Sequence, residues 1–217
     1  MINEKKIDFI ICTNDENQLS EAAYYISKLV VPEEYEIDLL EIWDAKSIFA
    51  GYNEAMNSST AKYKVYLHQD VRIINSHFLV DILRIFEDDS VGMIGMVGAS
   101  KLNRQPWLWD AGAVIETRVT RTTEEKFTEI NKDIEVKEID GLLMATQYDL
   151  PWREDILSGW DLYDRSQSIE FLKKSFKIVV PYQNRPWCLH DCGVVSLDRY
   201  WDSYNTFMNH YNSFFLN

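Results

Sequence analysis

The stretch that decides the fold is Tyr63-Lys64-Val65-Tyr66-Leu67-His68-Gln69-Asp70-Val71. Its hydrophobic first half predicts a buried strand, and the run stops abruptly at an imidazole, an amide and a carboxylate. A hard divalent cation prefers oxygen ligands and keeps waters that phosphates can replace, so Asp70 could supply one ligand. The alternative interpretation is that Asp70 caps the next segment while His68 packs at the edge of the sheet.

Strands and helices alternate on both sides of this stretch. The patterns predict strands at 7–12, 36–43 and 91–98, and helices at 16–29, 48–58 and 76–87. Strands separated by helices indicate a parallel sheet, and ligands of such sheets collect beyond the carboxyl ends of the strands. We therefore expect the polar residues that follow three strands to meet at one edge: Thr13, Asn14 and Asp15, then Asp44, then His68, Gln69 and Asp70.

The second half of the chain is less regular. We predict a loop over 101–113, a solvated helix or mobile excursion over 118–138, strands at 140–146 and 177–181, and a helix at 161–174. Near the end, aromatic residues recur every three or four positions, as in an amphipathic helix. We expect this stripe to pack on the domain or on a partner subunit, as a possible homo-oligomer contact. Its members are Tyr200, Tyr204, Phe207, Tyr211 and Phe214.

Composition limits the possible functions. The 217 residues fit one compact domain. The net charge of −13 would repel a phosphate backbone, which argues against nucleic acid as a partner. Three cysteines and no leader favour the cytoplasm, and the apolar runs are too short for a transmembrane segment.

Two further segments carry candidate chemistry. Cys188, His190 and Cys192 suggest zinc, but their spacing matches no usual zinc pattern, and a cation shared by His190 and Asp70 is the more economical hypothesis. Asp161 and Asp164 would share a face if they open a helix, and either carboxylate could act as a general base. A purely structural role at a helix N-terminus is the alternative for both.

Other enzyme classes lack their motifs. The chain contains no glycine-rich dinucleotide fingerprint, no phosphate-binding loop and no nucleophile elbow. Dehydrogenases, P-loop NTPases and serine hydrolases are therefore excluded.

Taken together, these motifs resemble the nucleotide-sugar glycosyltransferases of the GT-A fold, specifically the StrF-like subgroup within or near glycosyltransferase family 2. The resemblance covers most of the chain and rests on the polar turn at 13–15, Asp44, the helix segment 51–55 with Asn53, and the ending Leu67-His68-Gln69-Asp70. It implies an α/β, Rossmann-like, mostly parallel central sheet flanked by helices, with a small acceptor-side region. It also implies a nucleotide-binding half (1–100), an acceptor and catalytic half (101–195) and a C-terminal aromatic helix (196–217).

The resemblance also implies roles for individual residues. Mn²⁺ or Mg²⁺ would be held by Asp70 and His190. Asp164 would be the base of an inverting transfer to an unknown glycan or small-molecule hydroxyl, with Asp161 as the reserve. Nucleotide-sugar binding, with a UDP-sugar favoured, would involve Thr13, Asn14, Asp15, Asp44, Asn53, His68 and Gln69. Candidate platforms for the sugar or acceptor, with ordinary packing as the alternative, are Trp107, Trp109, Trp152 and Trp160.

Two departures from the family pattern keep a second hypothesis open. Tyr163 stands where the family usually has Glu, and Ser166 where it has a second Asp. A module that binds nucleotide sugars without catalysis would also fit. A metal-dependent hydrolase using Asp70 and His190 is a weaker third hypothesis.

Overall fold

The computed structural model describes residues 1–105, 108–118, 121–126, 132–193 and 197–215. The elements in chain order are β1 (Asn3–Thr13), α1 (Glu16–Ile26), β2 (Glu36–Trp43), α2 (Ile48–Ser58), β3 (Ala61–Leu67), β4 (Val71–Ile73), α3 (Phe78–Phe86), β5 (Val91–Gly95), β6 (Val97–Ala99), β7 (Ala111–Arg118), β8 (Arg121–Lys126), β9 (Ile134–Val136), β10 (Glu138–Ile139), β11 (Leu143–Thr146), α4 (Tyr163–Lys173), β12 (Lys177–Val180), β13 (Cys188–His190) and α5 (Tyr200–Tyr211). A short 3₁₀ helix, Asn212–Phe215, follows α5.

The main sheet has seven strands in the order β2-β1-β3-β11-β5-β12-β9. Strand β1 pairs in parallel with β2 and β3, and β12 pairs in parallel with β5. Strands β11 and β9 run against their neighbours. Five of the seven strands therefore point the same way, and the carboxyl ends of β1, β2 and β3 open onto one edge. The predicted α/β class with a mostly parallel central sheet is confirmed.

A smaller sheet places His190 beside the segment that follows β3. Its order is β10-β6-β7-β13-β4, with β8 added to β7. In this sheet His190 lies opposite Val71 of β4 and beside Glu116 of β7. The amide of Asp191 also donates to the carbonyl of Asp70 at 2.9 Å. Backbone pairing of two three-residue strands thus fixes His190 next to Asp70.

The core lies on both faces of the main sheet, as the alternation along β1 shows. Ile7, Phe9 and Ile11 join the cluster that contains the buried residues of α1 and α3. Ile10 and Cys12 join the opposite cluster, which includes the buried residues of α2, α4 and α5. Successive strand residues point to opposite faces, so the segment of β1 that is covered on both sides, from Phe9 to Cys12, is a continuous apolar run. Each large buried side chain contributes about 1.5–3 kcal/mol, and this holds the sheet edge rigid beneath the site.

In the described part of 118–138, the prediction of a solvated helix or mobile excursion is wrong; residues 119, 120 and 127–131 lie outside the described residues. The described part contains β8, β9 and the start of β10, and β8 pairs antiparallel with β7. Thr122 and Glu124 are exposed on β8. An edge strand is held by backbone pairing and tolerates charged side chains, so its sequence lacks the apolar alternation that marks a buried strand.

The predicted loop over 101–113 ends early, because β7 already begins at Ala111. Gly112 has a φ of +98°, and a Cβ there would collide with the carbonyl of Met96. Glycine is therefore needed where β7 passes Met96, the residue that connects β5 to β6. The predicted strand at 91–98 is divided as well: β5 belongs to the main sheet and β6 to the smaller one.

The predicted helix at 161–174 begins two residues later than expected. Leu162 adopts a left-handed conformation with φ of +63°, and α4 starts at Tyr163. Asp161 therefore precedes the helix. The expectation that Asp161 and Asp164 share a helical face is wrong.

The C-terminal aromatic stripe packs on the domain, as expected. Tyr200, Phe207 and Tyr211 are buried in the core cluster that also contains α2 and α4. The guanidinium of Arg165 lies 5.4 Å from the centre of the Phe207 ring, a cation–π contact. The buried part of the stripe therefore packs within its own chain. A homo-oligomer contact stays a prediction. In the described ranges, no helix combines the length and the apolar character needed to cross a membrane.

Candidate active site

A cavity of about 670 Å³ opens at the carboxyl edge of β1, β2 and β3. The structure brings most of the predicted nucleotide-sugar residues to its wall. Those lining it are Thr13, Asn14, Asp44, His68 and Gln69, together with Asp70, Trp160 and Tyr163. We refer to this space as the donor cavity.

Gln69 organises the polar turn after β1. Its Oε1 accepts from the hydroxyl of Thr13 at 2.7 Å and from the amides of Asn14 and Asp15 at 3.0 and 3.2 Å. Its Nε2 donates to Oδ1 of Asn14 at 2.8 Å. One side chain from the end of β3 thus fixes the turn at the end of β1, so the turn presents preformed backbone geometry to the cavity.

Two predicted nucleotide-binding residues have structural contacts instead. Asp15 caps α1, because its Oδ1 accepts from the amides of Asn17 and Gln18 at 2.9 and 3.1 Å. Asn53 is buried on α2. Its Nδ2 donates to the backbone carbonyl of Trp152 at 2.9 Å, and its Oδ1 accepts from the backbone amide of Trp152 at 2.8 Å. The structure therefore does not bring the Asn53 side chain to the donor cavity.

A second cavity, of about 350 Å³, adjoins the first. The two share four wall residues: His68, Asp70, Trp160 and Tyr163. The second cavity is also lined by the candidate bases Asp161 and Asp164, and by His190. We refer to it as the acceptor cavity.

The shared wall holds a cluster with the chemistry of a metal site. His68, Asp70 and His190 each offer a ligand atom, all within 4.8 Å of one another. Oδ1 of Asp70 lies 3.6 Å from Nε2 of His190 and 3.8 Å from Nδ1 of His68. This Oδ1 is buried and has no hydrogen-bond partner in the described structure. An unpaired buried carboxylate oxygen is costly, and carboxylate and imidazole are both ligands of divalent metals, so the residues fit a divalent cation.

Tyr163 is bonded to His68 in this wall. Its hydroxyl contacts Nε2 of His68, and burial raises the pKa of the phenol well above its usual value. Burial, and then His190, lower the pKa of His68. The other ring nitrogen of His68, Nδ1, lies 3.8 Å from Oδ1 of Asp70. His68 is thereby placed to orient Asp70, as residues around metal ligands commonly do.

Asp164 has the environment of a general base at neutral pH. Burial, followed by the charge of Asp140, raises the pKa of Asp164 to about 7. Its carboxylate accepts from the amide of Gly141 at 3.1 Å and from that of Arg165 at 2.7 Å. These two bonds fix its orientation without neutralising it. Burial also raises the pKa of Asp161, which lies in the same cavity.

The predicted aromatic platforms divide into three groups. Trp160 is 54% exposed and lines both cavities, and Trp109 lines the acceptor cavity. Trp152 is only 2% exposed and packs in the core against Tyr52 and Tyr66, so a platform role for it is wrong. Trp107 lies outside the described residues.

Three residues at the site were not expected to act there. Tyr163 entered only as a departure from the family pattern, and nothing in the sequence reveals its bond to His68. Asp140 lines the acceptor cavity beside Asp164, and the adjacent Gly141 was the only local sign of a turn. Glu116 lies on β7, within 4.0 Å of Nδ1 of His190. Its strand falls partly in the region predicted to be irregular, so the sequence carried no signal for it.

Comparisons with known proteins agree with this geometry. Residues 8–211 match the model of a glycosyltransferase-like family. A segment is 33% identical over 106 residues to the streptomycin biosynthesis protein StrF of Streptomyces griseus, covering 46% of this chain and 36% of StrF. The matched segment thus spans about a third of that relative.

Solved structures show the same architecture. The mannosyltransferase PcManGT of Pyrobaculum calidifontis, in complex with GDP-Man and Mn²⁺, has a TM-score of 0.60 at 12% identity, covering 97% of this chain and 64% of that one. S. aureus TarS 1-349 in complex with UDP has a TM-score of 0.60 at 10% identity, covering 98% and 67%. Both are glycosyltransferases of the GT-A fold. This chain therefore has a GT-A fold and belongs to the glycosyltransferase-like family.

Proposed function

We propose that the protein transfers a sugar from a nucleoside-diphosphate sugar, preferably a UDP-sugar, to a hydroxyl of a glycan or small-molecule acceptor, with inversion at the anomeric carbon. The observation that carries this proposal is the shared wall of the two cavities. On one side lies the turn fixed by Gln69, and on the other lies Asp164. Between them is the buried, unpaired Oδ1 of Asp70.

The donor half has a consistent chemistry. Thr13, Asn14 and Asp44 surround the donor cavity with polar groups suited to a base and a ribose. Asp70 and His190 would hold Mn²⁺ or Mg²⁺ where the diphosphate reaches the shared wall. Such a cation, when bound, neutralises charge on the departing diphosphate. The solved mannosyltransferase with GDP-Man and Mn²⁺, and TarS with UDP, support this choice of ligands.

The acceptor half supplies the base. Asp164, with a pKa of about 7, takes the proton from the acceptor hydroxyl as that oxygen attacks the anomeric carbon from the face opposite the diphosphate. The amides of Gly141 and Arg165 hold the carboxylate still during this transfer. Trp160 provides an exposed ring at the junction, where a sugar face can stack.

The alternative function is a module that binds nucleotide sugars without catalysis. Ser166, which replaces a family acid, is fully buried and bonded to the carbonyl of Tyr163. That position faces the protein interior, so the replacement removes no group from the cavities of this chain. The raised pKa of Asp164 favours catalysis over binding alone.

The test joins binding to turnover. A thermal-shift screen of nucleoside diphosphates and sugar nucleotides, with and without Mn²⁺, identifies the donor nucleotide. Release of the nucleoside diphosphate from the stabilising donor is then measured, and the configuration of the product is read by NMR. We expect metal-dependent stabilisation, metal-dependent turnover and an inverted anomer. Stabilisation without turnover over an acceptor panel would establish the binding module, and a retained anomer would refute the role of Asp164.

A further inference from the structure

The far side of His190 carries a second cluster of ligand atoms. Parallel pairing of β7 with β13 sets Glu116 directly beside His190, and Cys192 follows two residues later. One ligand atom from each of the three residues lies within 4.8 Å of the others. The donor set is a carboxylate, an imidazole and a thiol, and therefore differs from the cluster at Asp70.

Each of these three groups has a ligand atom to spare. Nδ1 of His190 is buried, has no hydrogen-bond partner in the described structure, and lies 4.0 Å from Oε1 of Glu116. Arg118 bonds Oε2 of Glu116 at 2.7 Å, which leaves Oε1 facing the imidazole. The thiol of Cys192 makes a long contact, 3.9 Å, with the carbonyl of Thr117, and such a contact is easily given up.

We propose that Glu116, His190 and Cys192 bind a borderline-soft divalent cation, Zn²⁺, at a site distinct from the one at Asp70. Thiolate and imidazole select zinc over magnesium or manganese, and three protein ligands with one water complete a tetrahedron. Ligand atoms on one tetrahedral zinc lie roughly 3.3–3.8 Å apart, so the cluster must contract by about 1 Å. On binding, the S–H bond of Cys192 breaks, an S–Zn bond forms and the proton goes to solvent.

Zinc at this site opposes the cation at Asp70 because both use the same imidazole. A neutral imidazole has one lone pair available for a metal, on either Nδ1 or Nε2. If Nδ1 of His190 binds zinc, Nε2 carries the proton and has no lone pair for a cation at Asp70, whose Oδ1 lies 3.6 Å away. The site is therefore an inhibitory switch on the Asp70 cation. The switch rests on the proposed function, whereas zinc binding itself does not.

The first experiment uses Co²⁺ as a spectroscopic probe of zinc sites. We expect the full-length protein to bind Co²⁺ with a thiolate-to-cobalt charge-transfer band, and Zn²⁺ to abolish that band. Cys192→Ser should remove the band and Glu116→Gln should weaken Co²⁺ binding, whereas Asp70→Asn should keep the band. Circular dichroism confirms that each variant is folded, and the Glu116 variant tests the site should Cys192→Ser fail to fold.

The second experiment measures the coupling by Mn²⁺ electron paramagnetic resonance. Saturating Zn²⁺ should weaken Mn²⁺ binding by about tenfold or more in the wild type, the scale expected when support of a metal ligand is lost. Zn²⁺ can also displace Mn²⁺ directly at Asp70, and Cys192→Ser, normalised to its own zinc-free affinity, measures that competition alone, so the same Zn²⁺ should weaken Mn²⁺ binding less in this variant than in the wild type. Absence of a thiolate band in the wild type, persistence of the band in Cys192→Ser, or its loss in Asp70→Asn would overturn the separate site. A cobalt band together with an equal effect of Zn²⁺ on Mn²⁺ binding in the wild type and in Cys192→Ser would overturn the switch.

Discussion

Replacing Asp164 by Asn removes the proposed base while keeping its size. The carboxylate lies in the acceptor cavity and has a pKa of about 7, so it is largely ionised only above neutrality. An amide cannot take the acceptor proton. The expected loss in kcat is about 100- to 10,000-fold, the usual contribution of general base catalysis. The wild-type rate should rise with pH, with its midpoint near pH 7, and the residual rate of the variant should lack this rise.

The same change has a calculable effect on stability. Asn can accept only one of the two amide bonds that Asp164 receives, and an unpaired buried amide costs about 1–3 kcal/mol. In the other direction, a shift of the pKa from 3.8 to about 7 destabilises the ionised folded state by at most about 4 kcal/mol. Because the folded pKa is raised, the protonated group stabilises the fold, and that stability is lost as pH rises from about 4 to about 7. The free energy of unfolding of the variant should therefore improve relative to wild type over that interval.

The assays are nucleoside-diphosphate release across this pH range and urea unfolding at its two ends. Glu33→Gln, an exposed carboxylate on the α1–β2 connection, is the matched control and should change neither result. A rate loss below about fivefold, or an unchanged pH profile in Asp164→Asn, would refute the assignment of the base. Asp161→Asn would then be the variant expected to lose the pH-dependent limb.

Three other variants test separate parts of the site. Gln69→Ala removes four hydrogen bonds to the turn after β1, so steady-state kinetics should show KM for the donor raised about tenfold, with a smaller change in kcat. An unchanged KM would show that the turn keeps its conformation without Gln69. Gly141→Ala places a methyl group against the ring and hydroxyl of Tyr163, so calorimetry should show a loss of about 1–3 kcal/mol in the free energy of unfolding. Rate assays should show a lower kcat, and wild-type values in both measurements would contradict the contact. Asn53→Ala leaves the backbone amide of Trp152 unpaired, whereas the Trp152 carbonyl still accepts from the amide of Glu154, so urea unfolding should show a loss of about 1–3 kcal/mol. Calorimetric titration should find unchanged nucleotide affinity, and weaker affinity in the folded variant would restore Asn53 to the donor site.

Local pattern was enough to predict most strands of the main sheet, but not β9. The apolar segments at 7–12 and 63–67 mark β1 and β3, and α2 has the residues predicted from its helical period. The same pattern placed Thr13, Asp44 and Asp70 at one edge, because parallel strands separated by helices end together. These features depend on residues near one another in the chain.

The smaller sheet was missed for a physical reason. β4 and β13 have three residues each, too few to show a period of two, and β8 is an exposed edge held by its backbone. The pairing of β13 with β4 and β7 joins distant parts of the chain. It decides which ring nitrogen of His190 faces Asp70 and which faces Glu116. Asn53 illustrates the same limit, since its partner Trp152 lies 99 residues away. The sequence could propose that Asp70 and His190 share a cation, but it could not supply the strand pairing that sets their distance.

The most direct measurement of the central claim is a crystal of the protein grown with Mn²⁺ and UDP, with anomalous diffraction collected for manganese. We expect an anomalous peak within about 2.5 Å of the Asp70 carboxylate, close to Nε2 of His190 and in contact with both phosphates of UDP. The same crystal of Asp70→Asn should lack the peak. UDP bound in the donor cavity without manganese, or an Asp70 side chain turned away from the diphosphate, would contradict the account.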